Sequence, residues 1–337
     1  MVKKLVGVSL IVAIAVSFIS FVVCSECVAT DQIVLKSGHI TSTLSIRHKG
    51  AVKFAELVEQ RSNGRVKIDV YPAQQLGDAR SQFQALSMGT QDICFEGIAW
   101  WSQFDKDFNY YSVPFVFNSY EEIFKAYESD VGKEMFERIR NNVGIRCLAY
   151  NFEDCLRSLY SVKKPIKVPE DLNGVNMRVP GVKIYIEAWK ELGANTVRVS
   201  WGELYTALMQ GMVEASEGPL VEAYNNKFLE IEKYITMLNY KPSPLAVSIS
   251  EKTWKKLPND IQNILVSAAI DSGNYFTELM EKEEKQIENT LRNEGNVFVE
   301  FDRQSFIDKA SNLPEKLEAE GMWSKGLHRR MMRAIGR

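Results

Sequence analysis

The stretch from residue 176 to residue 224 constrains the fold of this chain most strongly. It places Arg178 at the end of an apolar run, and it continues with a helical pattern over 183–192 and a second apolar run over 196–199. Strand, helix and strand in close succession predict a parallel α/β unit, because parallel strands need a long crossover. An arginine that ends such a strand presents one fixed cation to a cleft, which suits capture of a small anion better than chemistry upon it.

The same alternation fills the region that follows residue 30. Apolar runs at 33–35, 66–70 and 92–95 are separated by helical periodicity that includes Phe54 and Phe83. This order predicts a mostly parallel sheet covered by helices, so the fold class is α/β.

We predict two lobes, because the roughly 308 residues beyond residue 29 exceed what one hydrophobic core usually serves. Lobe I is expected over residues 30–154 plus about 244–283, and lobe II over 155–243 plus about 284–337 with the C-terminal helices. Lobe I is therefore discontinuous in sequence, and several segments cross between the lobes.

Residues 1–29 resemble an export signal. Lys3 and Lys4 form a basic start, residues 5–23 are nearly all apolar, and Cys27-Val28-Ala29 provides small residues for a peptidase. The alternative is a retained membrane anchor, since the apolar run is long enough to span a bilayer. A cleaved signal would place the mature protein in the periplasm.

Charge and composition narrow the function classes. The formal net charge is −2, so nothing favours nucleic acid as a partner. The three histidines and the three later cysteines lack metal-ligand spacing, and we predict no metal and no cofactor. Cys147 and Cys155 could form a disulfide or remain two buried thiols. An exported enzyme is the alternative class, although no nucleophile motif such as Gly-x-Ser-x-Gly occurs.

Short motifs in a fixed order give the chain a family resemblance. They are Tyr71-Pro72-Ala73-Gln74-Gln75-Leu76-Gly77, Met88-Gly89-Thr90-Gln91-Asp92-Ile93, Val113-Pro114-Phe115-Val116-Phe117, the Arg178-Val179-Pro180 segment, Ser250-Glu251-Lys252-Thr253-Trp254 and Leu257-Pro258. With them the chain resembles the substrate-binding protein of a TRAP transporter (tripartite ATP-independent periplasmic), the DctP-like family. The resemblance covers essentially all of the chain beyond the signal. It implies two α/β lobes hinged around a cleft, with a long helix bridging both lobes.

The resemblance also implies function and partners. Such a protein is a periplasmic receptor that captures an organic acid anion and delivers it to the small and large permease subunits in the membrane. It is not an enzyme, and we expect a monomer. A sensory role, in which the loaded receptor is presented to a signalling kinase, is not separated from transport by the sequence.

Two arginines are implied as ligand-binding residues. Family members generally hold the ligand carboxylate with the arginine of the Arg-Val-Pro segment, which is Arg178 here. A guanidinium offers a planar fork that matches a carboxylate and stays charged when water leaves the cleft. A second family arginine matches Arg157, for which a salt bridge between the lobes is the alternative.

Three positions depart from the family pattern. Gly218 stands where most members carry an asparagine that helps hold the carboxylate. Gly181 follows the Arg-Val-Pro segment, where sugar-acid-binding relatives are often polar, and Trp201 replaces a common phenylalanine. We interpret the two glycines as additional space in the site, and Gly218 as a candidate contact through its backbone N–H.

The remaining candidate ligand-binding residues lie in lobe I or are assigned with less support. Trp100 and Trp101 follow a strand at its carboxyl end, where ligands bind in open α/β sheets, and one of them should belong to the core. Glu96 and Asp78 match positions that contact ligand polar groups in some members, although either could be a helix cap. His39 and Glu222 complete the set.

An aromatic lining with few polar groups favours an apolar or aromatic acid. We therefore expect a monocarboxylate such as an indole or phenyl keto or acetic acid. Small aliphatic hydroxy or keto acids and sulfonates are the alternatives.

Overall fold

The computed structural model describes residues 32–337. The predicted signal segment, residues 1–29, lies outside these described residues. Within residues 32–337, none of the helices combines the length and the apolar character that a membrane crossing requires.

Strands and helices alternate through most of the described chain. The strands are β1 (Ile33–Gly38), β2 (Val66–Tyr71), β3 (Ile93–Gly97), β4 (Ile145–Phe152), β5 (Arg157–Ser161), β6 (Asn176–Val179), β7 (Asn195–Arg198), β8 (Ala215–Pro219), β9 (Tyr234–Thr236), β10 (Leu245–Ser250) and β11 (Val297–Phe298). The α-helices are α1 (Ile46–Arg61), α2 (Ala79–Met88), α3 (Tyr120–Glu128), α4 (Asp130–Arg138), α5 (Lys183–Glu191), α6 (Leu204–Met209), α7 (Leu220–Asn225), α8 (Glu251–Trp254), α9 (Asn259–Asn293), α10 (Arg303–Ala310), α11 (Leu313–Ala319) and α12 (Leu327–Ile335).

The strands form two mixed sheets. The first has the order β2-β1-β3-β10-β4, in which β1 is parallel to β2 and β3, and β10 is antiparallel to both of its neighbours. The second has the order β11-β9-β5-β8-β6-β7, in which β6 is parallel to β7 and β8. The α/β fold predicted from the sequence is confirmed.

Helix ends follow the local sequence. Asp78 caps α2 by accepting a hydrogen bond from the Ser81 N–H at 2.8 Å, and Gly89 ends this helix with φ 74°. Residues 201–203 form a 3-10 turn that precedes α6. The hydroxyl of Ser200 donates to the Glu203 side chain at 2.7 Å and makes no capping bond to the backbone.

The long interlobe helix is α9, which has 35 residues and packs against α1 and β4 of the first sheet region and against α7 of the second. The C-terminal helix differs from its predicted place in lobe II. It packs against α3 and α4, which follow β3 in the chain. Cys94, Cys147 and Cys155 are free thiols in the described structure.

Candidate ligand-binding site

A cavity of about 260 Å³ lies where strand ends of the two sheets face each other. It is lined from the first sheet by the segments that follow β1, β2 and β3, and from the second by those that follow β6 and β7. Parallel strands of one sheet bring their carboxyl ends to the same edge, so side chains distant in sequence meet there.

Arg178 occupies the inner wall of this cavity. Its side chain is buried, its Nε donates to the Val199 carbonyl at 2.9 Å, and its guanidinium carbon lies 5.3 Å from the Trp201 ring centroid. Its two terminal nitrogens have no protein acceptor among residues 32–337. Burial, followed by the nearby charge of Arg157, lowers the pKa of Arg178 to about 10, so the group remains a cation at neutral pH.

Arg157 also lines the cavity, but two of its three guanidinium nitrogens already donate hydrogen bonds within the protein. Its Nε and Nη2 donate to the two carboxylate oxygens of Glu217 at 2.6 and 2.7 Å. Glu217 lies on β8 beside β5, so this ion pair lies within one sheet and does not cross between lobes as the alternative interpretation supposed. Burial alone would raise the pKa of Glu217, but Arg157 and the Tyr240 hydroxyl hold it below the usual value. Only Nη1 of Arg157 is left for a ligand.

The inner end of the cavity therefore carries an uncompensated positive charge. Glu217 balances Arg157, and Glu232, the other carboxyl near Arg178, is fully buried and has its pKa raised to about 8 by that burial. At pH 7 Glu232 is mainly protonated and leaves Arg178 unneutralised. An anion that enters the cavity meets Arg178 as a ready partner.

Gly218 provides no space in the cavity, contrary to expectation. A Cβ atom built there would lie 3.3 Å from Cη2 of Trp201, so the indole already fills the room that the asparagine of the family would use. Trp201 packs edge-on against Phe228 at 4.9 Å between ring centroids. The backbone of Gly218 does not line the cavity either, because its carbonyl accepts the Tyr160 hydroxyl at 2.8 Å and Pro219 forms the wall.

The prediction of free space at Gly181 is wrong for a similar reason. A Cβ atom there would lie 2.6 Å from Nε of Arg198, whose guanidinium lies directly against the glycine. The volume next to Gly181 is occupied by the guanidinium of Arg198, the last residue of β7.

The two neighbouring tryptophans have separate environments. Residues 98–103 form a 3-10 helix in place of an extension of β3. Trp100 lines the cavity, whereas Trp101 is fully buried among Phe83, Phe108 and Phe136 and contributes to the core. The prediction that Trp101 contacts the ligand is therefore wrong, because its side chain lies in the core and does not line the cavity.

Glu96 and Asp78 line the cavity with most of their hydrogen-bonding capacity used inside the protein. Glu96 Oε1 accepts from Arg47 Nη1 at 2.7 Å and from the Ile40 N–H at 3.2 Å. Asp78 caps α2 and lies at the rim. Glu96 thus orients Arg47, and its second oxygen remains for a ligand donor.

Glu222 and His39 were predicted at the ligand site but do not line the cavity. Glu222 is buried beside Arg47 and accepts its backbone N–H at 3.4 Å. His39 is buried and hydrogen-bonded to His48 at 3.0 Å and Thr41 at 3.2 Å, and burial, with Arg47 nearby, lowers its pKa to about 3. Both are structural residues beneath the site.

The carboxylates around Arg47 predict a pH-dependent stability. Burial, opposed by Arg47 and assisted by Asp154, raises the pKa of Glu222 from its ordinary 4.5 to about 8, and burial raises that of Asp154 to about 6. Between the ordinary pKa of 4.5 and the folded-state pKa of about 8, Glu222 keeps a proton in the folded state that it has released in the unfolded state. The free energy of unfolding should therefore fall as pH rises from about 4.5 to about 8.

Glu222→Gln should flatten this dependence in urea unfolding at about pH 5 and about pH 8, because the amide imitates the protonated acid. Glu230→Gln, at an exposed residue on the following turn, is the control. An unchanged slope in the Glu222 variant would contradict the assignment.

The cavity residues that the sequence analysis did not predict include Arg47, Tyr185 and Arg198. Arg47 stands on the buried face of α1 with Gly50, Ala51 and Phe54, so a charged residue within an apolar helical stripe was the available signal. Tyr185 lies under the Arg157 guanidinium at 5.4 Å, and nothing in its local sequence distinguished it from a core residue.

Comparison with known proteins gives this cavity its context. A family model described as "Bacterial extracellular solute-binding protein, family 7" (DctP) matches residues 37–320. The chain belongs to this family. Proteins of the DctP family bind solutes and are not enzymes, and they serve TRAP transport of small organic acids together with membrane components.

Individual relatives agree with this membership. The chain is similar to the 2,3-diketo-L-gulonate-binding periplasmic protein of Escherichia coli, with 29% identity over 82% of this chain and 84% of the relative. It is similar to the C4-dicarboxylate-binding periplasmic protein DctP of Rhodobacter capsulatus, with 28% identity over 79% of each chain. A TRAP solute-binding protein of Roseobacter denitrificans, solved with L-galactonate, superposes with a TM-score of 0.82 at 26% identity over 90% of this chain and 99% of that one.

Proposed function

We propose that this DctP-family protein is the exported receptor of a TRAP transporter, that Arg178 holds the carboxylate of its ligand, and that closure around the ligand prepares delivery to the small and large permease subunits. The observation that carries the proposal is the state of Arg178. It is a buried cation whose terminal nitrogens face the cavity without an acceptor in the described part of the chain, and the nearby Glu232 does not neutralise it. A carboxylate would neutralise the charge of Arg178 and accept hydrogen bonds from both of its terminal nitrogens.

Ligand capture would shift the receptor toward its closed form. Arg178 and Trp201 belong to the second sheet region, whereas Trp100 and Glu96 belong to the first. A ligand that contacts both sides stabilises the closed arrangement by its differential affinity for that arrangement. Export through a cleaved signal at residues 1–29 and a monomeric state are part of the proposal.

The body of the ligand should be apolar or aromatic. Trp100, Tyr185 and Trp201 present rings to the cavity, and Val182 and Leu245 add aliphatic wall. Such surfaces favour a flat or apolar acid, for example an indole or phenyl keto or acetic acid.

A hydroxylated or keto acid is the second candidate, with sulfonates as a further arginine-compatible group. Gln74 lines the cavity, and its Nε2 is buried without a partner. A ligand hydroxyl or keto oxygen could accept a hydrogen bond there. The printed names of the relatives, which bind diketogulonate, galactonate and C4-dicarboxylates, support this candidate.

A thermal-shift screen separates these ligand classes. The panel contains indole and phenyl acids, small aliphatic hydroxy and keto acids, sulfonates and sugar acids, each followed by calorimetry. We expect stabilisation by acids with an apolar or aromatic body and quenching of tryptophan fluorescence, since Trp100 and Trp201 line the cavity. Stabilisation by sugar acids alone would contradict the preference for an apolar body while retaining the receptor assignment.

A further inference from the structure

The guanidinium of Arg198 is positioned by the glycine beside it. A Cβ atom on Gly181 would lie 2.6 Å from Nε and 3.1 Å from Cζ of Arg198, so any larger residue at 181 would displace this side chain. Both residues line the cavity. Arg198 ends β7, which is parallel to β6, the strand that carries Arg178, so both arginines come from the second sheet.

A second arginine reaches the same glycine from the opposite side. Arg80, in the first turn of α2, donates from Nη2 to the Gly181 carbonyl at 2.9 Å. Its Nε is buried without a hydrogen-bond partner. Arg80 and the exposed Lys183 also line a recess next to the main cavity. Cations from both sheet regions therefore converge on Gly181.

Neither arginine has a carboxylate partner. Within residues 32–337, no Asp or Glu oxygen lies within the 4.0 Å limit of an ion pair to Arg80 or Arg198. The two carboxylates of the cavity rim are engaged elsewhere, because Asp78 accepts the Ser81 N–H and Glu203 accepts the Ser200 hydroxyl. Each guanidinium lies next to Gly181, and an anion that binds beside this glycine would be attracted by both charges.

We propose that Arg198 and Arg80 form a second anion-binding subsite and that the ligand carries two anionic groups. The carboxylate at one end binds Arg178, and a second carboxylate, a phosphate or a sulfonate binds at Gly181. This inference rests on the proposed function, and it replaces the single charge expected from the sequence with two. Because Arg80 and Arg198 come from opposite sides of the cleft, the distal anion draws the two sides together.

Matched acids test the second charge directly. The pairs are succinate and succinamate, glutarate and glutaramate, 4-carboxyphenylacetate and phenylacetate, and 3-phosphoglycerate with glycerate as the phosphate arm. Calorimetry at low salt measures each affinity. We expect the doubly charged member of at least one pair to bind at least about tenfold more tightly, because a charge-assisted contact has been added.

Arg198→Gln should remove this advantage by weakening the doubly charged member much more than the singly charged one. Gly181→Ala should reduce the advantage by displacing the same guanidinium while leaving Arg198 in place. Arg329→Gln, at an exposed arginine of the C-terminal helix, is the matched control and should keep the full difference. The advantage should also shrink as salt is raised, since both subsite arginines are partly accessible.

The outcomes separate this inference from the function on which it rests. Equal or tighter binding of the singly charged acids, or a charge advantage that survives in Arg198→Gln, would overturn the subsite and leave the receptor assignment intact. If no acid of either panel bound, the proposed function itself would fail.

Discussion

Replacing Arg178 with alanine should weaken binding of the acid that gives the largest shift in the screen by at least about 3 kcal/mol, or more than about hundredfold. The ligand carboxylate would then be buried without a charged partner. Arg178→Lys should recover part of this loss, because the charge remains while the fork is lost. Titration calorimetry measures both affinities.

The unliganded Arg178→Ala protein should lose little stability. Burial lowers the pKa of Arg178, so removing a poorly solvated cation offsets the loss of its hydrogen bond to the Val199 carbonyl. Thermal unfolding without ligand therefore distinguishes a binding role from a structural one. A large drop in Tm combined with unchanged affinity would show that Arg178 stabilises the fold and does not bind the ligand.

Glu217→Gln should destabilise the folded protein by about 3–5 kcal/mol. The substitution leaves the buried Arg157 without its bidentate partner, and it removes a negative charge that favours the ionised form of Arg178. Breaking a buried pair by changing one member leaves an uncompensated charge in a medium that solvates it poorly. Urea unfolding measures the free energy directly.

Glu214→Gln is the matched control for this experiment. Glu214 pairs with Lys163, whose side chain is 69% exposed, so the loss there should stay below about 1 kcal/mol. Equal effects of the two substitutions would mean that Glu217 contributes no more than a surface charge, and the charge balance described for the inner cavity would then be incorrect.

The strand and helix pattern of the fold was predictable because it depends on local periodicity. The strand that carries Arg178, the helix after it and the strand over 195–198 all lie where the sequence placed them. The strand–helix alternation fixed the α/β class, and the long helix came from the family resemblance.

The neighbours of the site residues were not predictable in the same way. Glu217 lies far from Arg157 in sequence, and only the antiparallel pairing of β5 with β8 brings them together. The two glycines were interpreted as empty space because each was compared with the side chain it lacks. Whether a missing side chain leaves a void depends on what packs against it, and here Trp201 and Arg198 fill those volumes.

The 35-residue helix α9 has a mechanical consequence for any relative motion of the two sheet regions. At a rise of 1.5 Å per residue it is a rod of about 52 Å, and it touches α1 on one side and α7 on the other. Because both sheet regions pack along this one continuous helix, they cannot separate by sliding. They can tilt relative to each other about α9, and a wide tilt must either bend α9 or break the contacts of one sheet region with it.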